Sequence, residues 1–360
     1  MSSERSLSLL KELTEAHSVP GFENEVRKIF VNEHRGLGTL GSDKNGSVYC
    51  ERDGAGPRVL VEGHMDEVGF RVQNITPSGY IQFINLGGWW THNLLSQRVE
   101  ILTKSGEKIL GTISSQPPHF LSKEARDQVL PLEALRIDVG ATSKLDLIDN
   151  FGVSIGDPIA PVSAFTKLAR HERYMAKAFD NRVGIAGAIQ TAEDLKEEKL
   201  PNTLITAGAT MEEIGLRGAK TLAAKIKPDV AIVLECPPAD DAPGMTPSES
   251  QGRLGGGVQL RLQDPSAMMN PRLADFAIET ARAANIPHQV TVRRSGGTDA
   301  GAYHLANEGI PSIVLGTPAR YIHSHNAILE LSDYLAMLAL TKELVRRLDQ
   351  AAVDSLTDFL

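Results

Sequence analysis

The run Val59-Leu60-Val61-Glu62-Gly63-His64-Met65-Asp66-Glu67 carries an apolar, strand-like stretch to a glycine and then presents a histidine and an aspartate two positions apart. In extended backbone, residues i and i+2 share a face. Asp66 is thus placed to accept the second ring N–H of His64 and to aim the other nitrogen at a metal ion. His-x-Asp alone is a weak signal, because short motifs recur by chance. Further residues strengthen it, each just past its own apolar run: Asp180 in Phe179-Asp180-Asn181-Arg182, the pair Glu212-Glu213 after Thr210, Glu235 after Val230 to Leu234, and His323 in Tyr321-Ile322-His323-Ser324. Each has an ordinary structural reading as well. Asp180 suits a helix N-cap, the glutamate pair suits solvated loop charge, Glu235 suits a strand end, and most of the ten histidines must be surface or core residues. Together, two imidazoles and three carboxylates make a shared site for two divalent ions with a bridging carboxylate, and zinc, cobalt or manganese suits such mixed ligands. Glu212, beside the ligand Glu213 but projecting differently, is then free to act as general base on a water activated by the ions.

The surrounding pattern is that of an α/β protein. Leu7, Leu10, Leu13 and Ala16 recur at helical spacing up to Ser18-Val19-Pro20-Gly21, and Glu23 to His34 reads as a second helix. Asn45-Gly46 marks a hairpin before Val48-Tyr49. After Glu67 come short alternating runs, Gly69 to Gln73, Tyr80 to Ile84, Arg98 to Ile101, Lys108 to Gly111 and Arg136 to Val139, broken by Gly, Ser and Pro. They predict a small antiparallel β unit inserted over residues 69–162, with Gly156 to Ala160 as its last strand and a turn or two of helix near Ser143 to Asn150. Within it, Trp89 and Trp90 read as core or subunit contacts. The α/β rhythm then resumes: a helix over Asn181 to Glu198, strands over Thr203 to Thr210, Val230 to Leu234, Val258 to Leu262, His288 to Val292 and Pro311 to Leu315, a helix over Pro271 to Ala284, and a last helix from Leu331. In open α/β sheets, ligand sites collect at the carboxyl ends of the strands, which is where the candidate ligands fall.

Composition narrows the field. At 360 residues the chain calls for two domains, with 1–68 and 163–360 forming one and the insertion the other. With 41% hydrophobic and 23% charged residues it is ordinary for a globular protein, and a net charge of -8 argues against a nucleic-acid partner. Cys50 and Cys236 form no metal or disulfide framework. No apolar run reaches the length of a membrane span, and Met1 to Arg5 lacks signal-peptide character, so a cytoplasmic location is expected.

The sequence resembles the tetrahedral (TET) aminopeptidase family, which includes glutamyl and deblocking aminopeptidases, over almost its whole length. The resemblance rests on Gly63-His64-Met65-Asp66-Glu67-Val68-Gly69-Phe70, Pro117 to Leu121, Ile137 to Ala141, Asp180-Asn181-Arg182-Val183-Gly184, Glu212 to Ala219, Gly296-Gly297-Thr298-Asp299-Ala300-Gly301-Ala302 and Arg320 to Ser324. It implies a mixed-sheet α/β/α metallopeptidase domain with an inserted, β-barrel-like (PDZ-like) dimerisation domain. It further implies that His64 and Glu235 hold one metal, Glu213 and His323 the other, that Asp180 bridges them, that Asp66 supports His64, and that Glu212 is the general base. Many members have Asp where this chain has Glu235, and Cys236 to Gly244 is looser than the family pattern. The implied activity is removal of N-terminal residues from peptides, in dimers that build a hollow tetrahedral dodecamer. Two other readings stand beside it: an aminoacylase-like or carboxypeptidase-like dinuclear amidohydrolase, against which the position of the insertion counts, and an assembled scaffold that kept the fold without catalysis.

Overall fold

A computed structural model describes residues 3–246 and 250–360. The near-continuous apolar runs become the middle of one sheet, as expected for strands covered on both faces. Among the described residues it has nine strands, in the order Thr39–Ser42, Val48–Glu51, Thr203–Ala209, Arg58–His64, Val230–Glu235, Ser312–Gly316, Val258–Asp264 and Ala267–Met268, with His288–Val292 also paired to Val258–Asp264. Thr203–Ala209, Arg58–His64, Val230–Glu235 and Ser312–Gly316 run parallel; Val258–Asp264 is antiparallel to the last of these. The sheet is therefore mixed.

Helices cover both faces. Alternation along Arg58–His64 shows this directly. Gly63 lies against Gly184 of the helix Phe179–Leu195, so closely that a Cβ there would come within 2.5 Å of the Gly184 backbone. Glu62, pointing the other way, faces Asp299 and Tyr303 around the short helix Ala300–Tyr303. Phe179–Leu195 is the central helix of its face, packed by Ser3–Glu15 and Leu331–Arg347. No helix among the described residues is long and apolar enough to cross a membrane.

Between His64 and Asp180 the chain builds a closed barrel from Gly69–Ile75, Ile81–Leu86, Arg136–Asp138, Lys108–Ser114, Arg98–Leu102 and Pro158–Pro161, each antiparallel to its neighbours. It has its own core, including Phe70, Phe83, Ile101 and Ile137. Trp89 packs there, stacked on Phe70 at 4.8 Å and donating from Nε1 to the Gly69 carbonyl (3.1 Å), whereas Trp90 is 63% exposed. The expected turns of helix appear as Lys144–Asp149, capped by the Ser143 hydroxyl. The expected Asn45-Gly46 hairpin closes over residues 43–47, where Asp43 Oδ1 accepts the N–H groups of Asn45, Gly46 and Ser47 and shapes the loop.

A small four-stranded sheet, unexpected from the sequence, joins Thr166–Lys167, Arg173–Ala176, Ala327–Glu330 and Ala319–Arg320. Its strands are too short to show a period. Its register pairs Ala176 with Ala327, so the residues just after the first strand and just before its partner, Asp180 and His323 among them, are held at one place.

Candidate active site

Register brings the other ligand candidates to the same edge. Ala209 pairs with His64, and Val233 with Glu62, so the carboxyl ends of three adjacent parallel strands coincide. His64 ends one strand and Glu235 ends the next, while Glu212 and Glu213 lie in the loop after Thr203–Ala209. The structure thus places all seven candidates at one site.

His64 Nε2 lies 3.2 Å from Asp180 Oδ1, 3.8 Å from Glu212 Oε2 and 3.9 Å from Glu235 Oε2. His323 Nε2 lies 3.4 Å from Asp180 Oδ2 and 3.3 Å from Glu213 Oε1. Asp180 therefore stands between the two imidazoles, one oxygen toward each. Donor atoms of His64, Glu212 and Glu235 lie within 4.8 Å of one another, and so do those of His64, Asp180 and Glu213. Glu212 is as near to His64 as Glu235 is. Distance alone does not separate the expected general base from the expected ligands.

Asp66 does something different from what the His-x-Asp spacing predicts. It lies past the end of the strand, where the i, i+2 rule no longer holds. His64 Nδ1 donates to the backbone carbonyl of Asp66 (3.0 Å), with Oδ1 of its carboxylate farther off at 3.4 Å. The carboxylate instead accepts the backbone N–H of Glu212 (3.0 Å) and of Glu213 (3.1 Å), one on each oxygen. Because a carbonyl only accepts, this bond places the neutral ring's proton on Nδ1 and leaves the Nε2 lone pair facing the carboxylates.

Asp180 is not a helix cap. Its backbone is non-helical, and Asn181 Oδ1 accepts the Gly184 N–H at 3.0 Å in the capping role. Beneath it, buried Arg182 donates to the carbonyls of Leu13, Ser18 and Met65 and to Glu67, and Lys177 donates to Glu67 (2.6 Å) and the Ala16 carbonyl (2.8 Å). These bonds tie the segment after His64 to the head of the helix. Non-glycine residues with left-handed backbone flank the site: Ala178, Met211, Leu216, Tyr321 and His323, with φ of 55°, 55°, 56°, 61° and 55°. Strained conformations of this kind persist where surrounding structure enforces them, commonly at functional sites.

The electrostatics are those of acidic groups crowded around two imidazoles. Burial, aided by neighbouring carboxylates, holds Glu212 well above the usual carboxylate range and pushes Glu235 up to about 8. Burial works against charge on both imidazoles, yet Glu212 and its neighbours raise His64 well above its ordinary value, and Glu213 and Asp180 push His323 up to about 11. Glu213 Oε1 is buried and makes no hydrogen bond. Acidic and imidazole donors crowded in this way, with close contacts that are not hydrogen bonds, fit divalent cations.

Sequence reasoning missed a second layer. Glu62 and Asp299, both fully buried, face each other without a hydrogen-bond donor on either carboxylate, and burial together with the charge of Glu62 holds Asp299 well above the usual carboxylate range. Burial pushes Glu62 up to about 8. A glutamate directly after the apolar run Val59 to Val61, still within the strand, was the available signal. Arg261 was also missed. It donates to Asp264 at 3.1 Å, its Nε has no partner, and it lines the same cavity as His64, Glu235 and His323. No local motif announces it.

Comparison with known proteins agrees with this site. The M42 glutamyl aminopeptidase family matches residues 46–340. The chain is 35% identical to a glutamyl aminopeptidase of Lactococcus lactis subsp. cremoris, covering 97% of this chain and 98% of that one. A TET aminopeptidase of a marine sediment archaeon, Thaumarchaeota archaeon SCGC AB-539-E09, superposes with a TM-score of 0.95 at 40% identity over 99% of both chains. The TET1 peptidase of Pyrococcus horikoshii, which can assemble into a tetrahedron or a large octahedral shell, superposes at 0.85 with 28% identity, covering 95% of this chain and 100% of that one. The chain belongs to the M42 glutamyl aminopeptidase family and, with it, is a metal-dependent aminopeptidase.

Proposed function

We propose that the site holds two divalent cations and removes an acidic residue from the N-terminus of peptides. The observation that carries the two-cation reading is Asp180 standing between His64 and His323, one oxygen toward each. His64 and Glu235 would hold one ion, Glu213 and His323 the other, and Asp180 would bridge them; zinc, cobalt or manganese suits the donors. Bound there, the ions supply polarisation of the scissile carbonyl and acidity for the attacking water. Glu212, with its raised proton affinity, takes the proton of that water and returns it to the leaving amine. Asp66 holds the backbone of Glu212 and Glu213 in place. Glu62 and Asp299 support the site from below.

Specificity is read from Arg261. Among the described residues it is the only Lys or Arg lining a cavity of about 350 Å³ beside the ligands. An acidic first side chain would pair with the part of its guanidinium that lines this cavity. We assign residues 1–68 and 163–360 to catalysis and 69–162 to contacts between subunits, in a homo-oligomer built from dimers and extending to a tetrahedral dodecamer. Both cysteines are free and buried, which suits a reducing cytoplasm.

The test is metal analysis joined to kinetics. Two ions per chain are expected, with a melting temperature that falls in chelator and recovers on adding zinc, cobalt or manganese. Glu212→Gln should keep both ions and lose about 10²- to 10⁴-fold in kcat. Glutamyl and aspartyl chromogenic substrates should outrun leucyl and lysyl ones. Full activity of the glutamine variant would remove Glu212 from its role.

A further inference from the structure

Two cavities meet at His323. The smaller, of about 350 Å³, is lined by the carboxylates of Asp180, Glu212, Glu213 and Glu235. The larger, of about 920 Å³, lies on the other side; Gly88, Ile322 and His323 line both. Asp, Glu, Lys and Arg are absent from the residues lining the larger cavity. Its walls are aromatic and amide: Trp90, His92 and Tyr321 with Asn93, Gln97 and Asn326. Trp90 and Tyr321 are 63% and 48% exposed, and the Trp90 ring lies 4.5 Å from that of His92. The inserted barrel therefore supplies one wall of this groove and the segment carrying His323 the other.

We propose that this groove receives the part of a peptide that follows the cleaved bond, and that it selects an aromatic or aliphatic side chain at the substrate's second position. The subsite presupposes the cation site and general base assigned above. Charge sets the direction. Arg261, assigned above to pair with an acidic first side chain, lines the smaller cavity, and no Lys or Arg lines the larger, so the first residue enters the smaller one and the remainder of the chain leaves across His323. Size agrees, since a cavity of about 350 Å³ suits one residue and the larger groove has room for several. Chemistry sets the selection. Aromatic walls without formal charge bury apolar side chains well and leave a buried carboxylate or ammonium unpaired. The amides are left to meet the peptide backbone.

The experiment compares kcat/KM of the zinc-loaded protein on Glu-Phe-Gly and Glu-Asp-Gly tripeptides. Binding of the same peptides to zinc-loaded Glu212→Gln is followed by calorimetry. The wild type should prefer phenylalanine at the second position by about tenfold. In Trp90→Ala and in Tyr321→Ala that ratio should fall to within about twofold, in cleavage and in binding alike. A ratio near one in the wild type, or one that both substitutions leave intact, overturns the subsite while the aminopeptidase site stands. Should Trp90→Ala lower the particle mass and reduce all substrates equally, Trp90 is a subunit contact and the subsite is again overturned. If tripeptides are neither cleaved nor bound with zinc present, the site assignment itself fails, and the subsite with it.

Discussion

Asp66 shows how one carboxylate can serve a site without touching what the site binds. Its two oxygens accept the N–H groups of Glu212 and Glu213, while its carbonyl sets the His64 tautomer. In Asp66→Asn one oxygen becomes an NH₂ group that faces an N–H donor. Leaving a buried donor unpaired costs about 1–3 kcal/mol, and here the loss falls on the loop that carries both glutamates. We expect kcat to drop by about 10- to 100-fold, the range for partners that orient metal ligands, with the backbone contact to His64 kept. Steady-state kinetics with a zinc titration checks this; an unchanged kcat would mean the loop holds itself. The seven candidate residues were legible because each sits just past an apolar run, and strand ends are where such sites form. The use of Asp66 was not legible, because it depends on where the strand stops. Asp299 was hidden for a related reason, since it faces Glu62, far away in sequence, and Arg261 was hidden because it reaches the cavity from the middle of the strand Val258–Asp264 rather than from a strand end.

Helices and parallel strands of the main sheet were readable from apolar periodicity, since burial on one or both faces writes itself into the chain. The small sheet that pairs Ala176 with Ala327 was not, because two- to four-residue strands carry too few positions to show a pattern. Packing between elements also sets how the protein responds to acid. The helix Asn24–Glu33 ends at His34, whose Nδ1 donates to the Phe30 carbonyl (2.8 Å) and whose Nε2 accepts the Thr206 hydroxyl of a central strand (2.8 Å). Burial pushes its pKa down from 6.5 to about 4. The unfolded chain therefore takes up a proton near pH 6.5 that the folded chain refuses until about 4. Stability from this residue is full above pH 6.5 and lost as pH falls toward 4, by roughly 3 kcal/mol in all. Urea midpoints at pH 7.5 and 5.0, taken in chelator for wild type and His34→Gln alike, should show a smaller drop in the variant. Equal drops would assign the acid sensitivity elsewhere.

At the scale of the whole molecule, the inserted barrel carries what the catalytic sheet does not need. Leu110, Phe120 and Val129 are 55%, 75% and 53% exposed, and Leu95, Leu121, Val129 and Leu130 line one cavity of about 370 Å³ on its surface. Apolar surface gathered in this way suits the contacts between subunits proposed above. A net charge of -8 per chain repels other copies, so the proposed association would draw on apolar burial. Val129→Asp places a charge in that cavity at a position already open to solvent, and should leave the fold and the melting temperature nearly as they are. The particle mass measured by light scattering should fall from an oligomer toward a single chain. Cleavage of a glutamyl chromogenic substrate should persist, because every proposed ligand comes from one chain. The barrel also reaches the site through Gly88, where an added Cβ would lie 3.4 Å from His323 Nδ1. A loss of activity together with the loss of mass would then mean that neighbouring subunits hold this glycine loop against His323, and that assembly completes the catalytic wall.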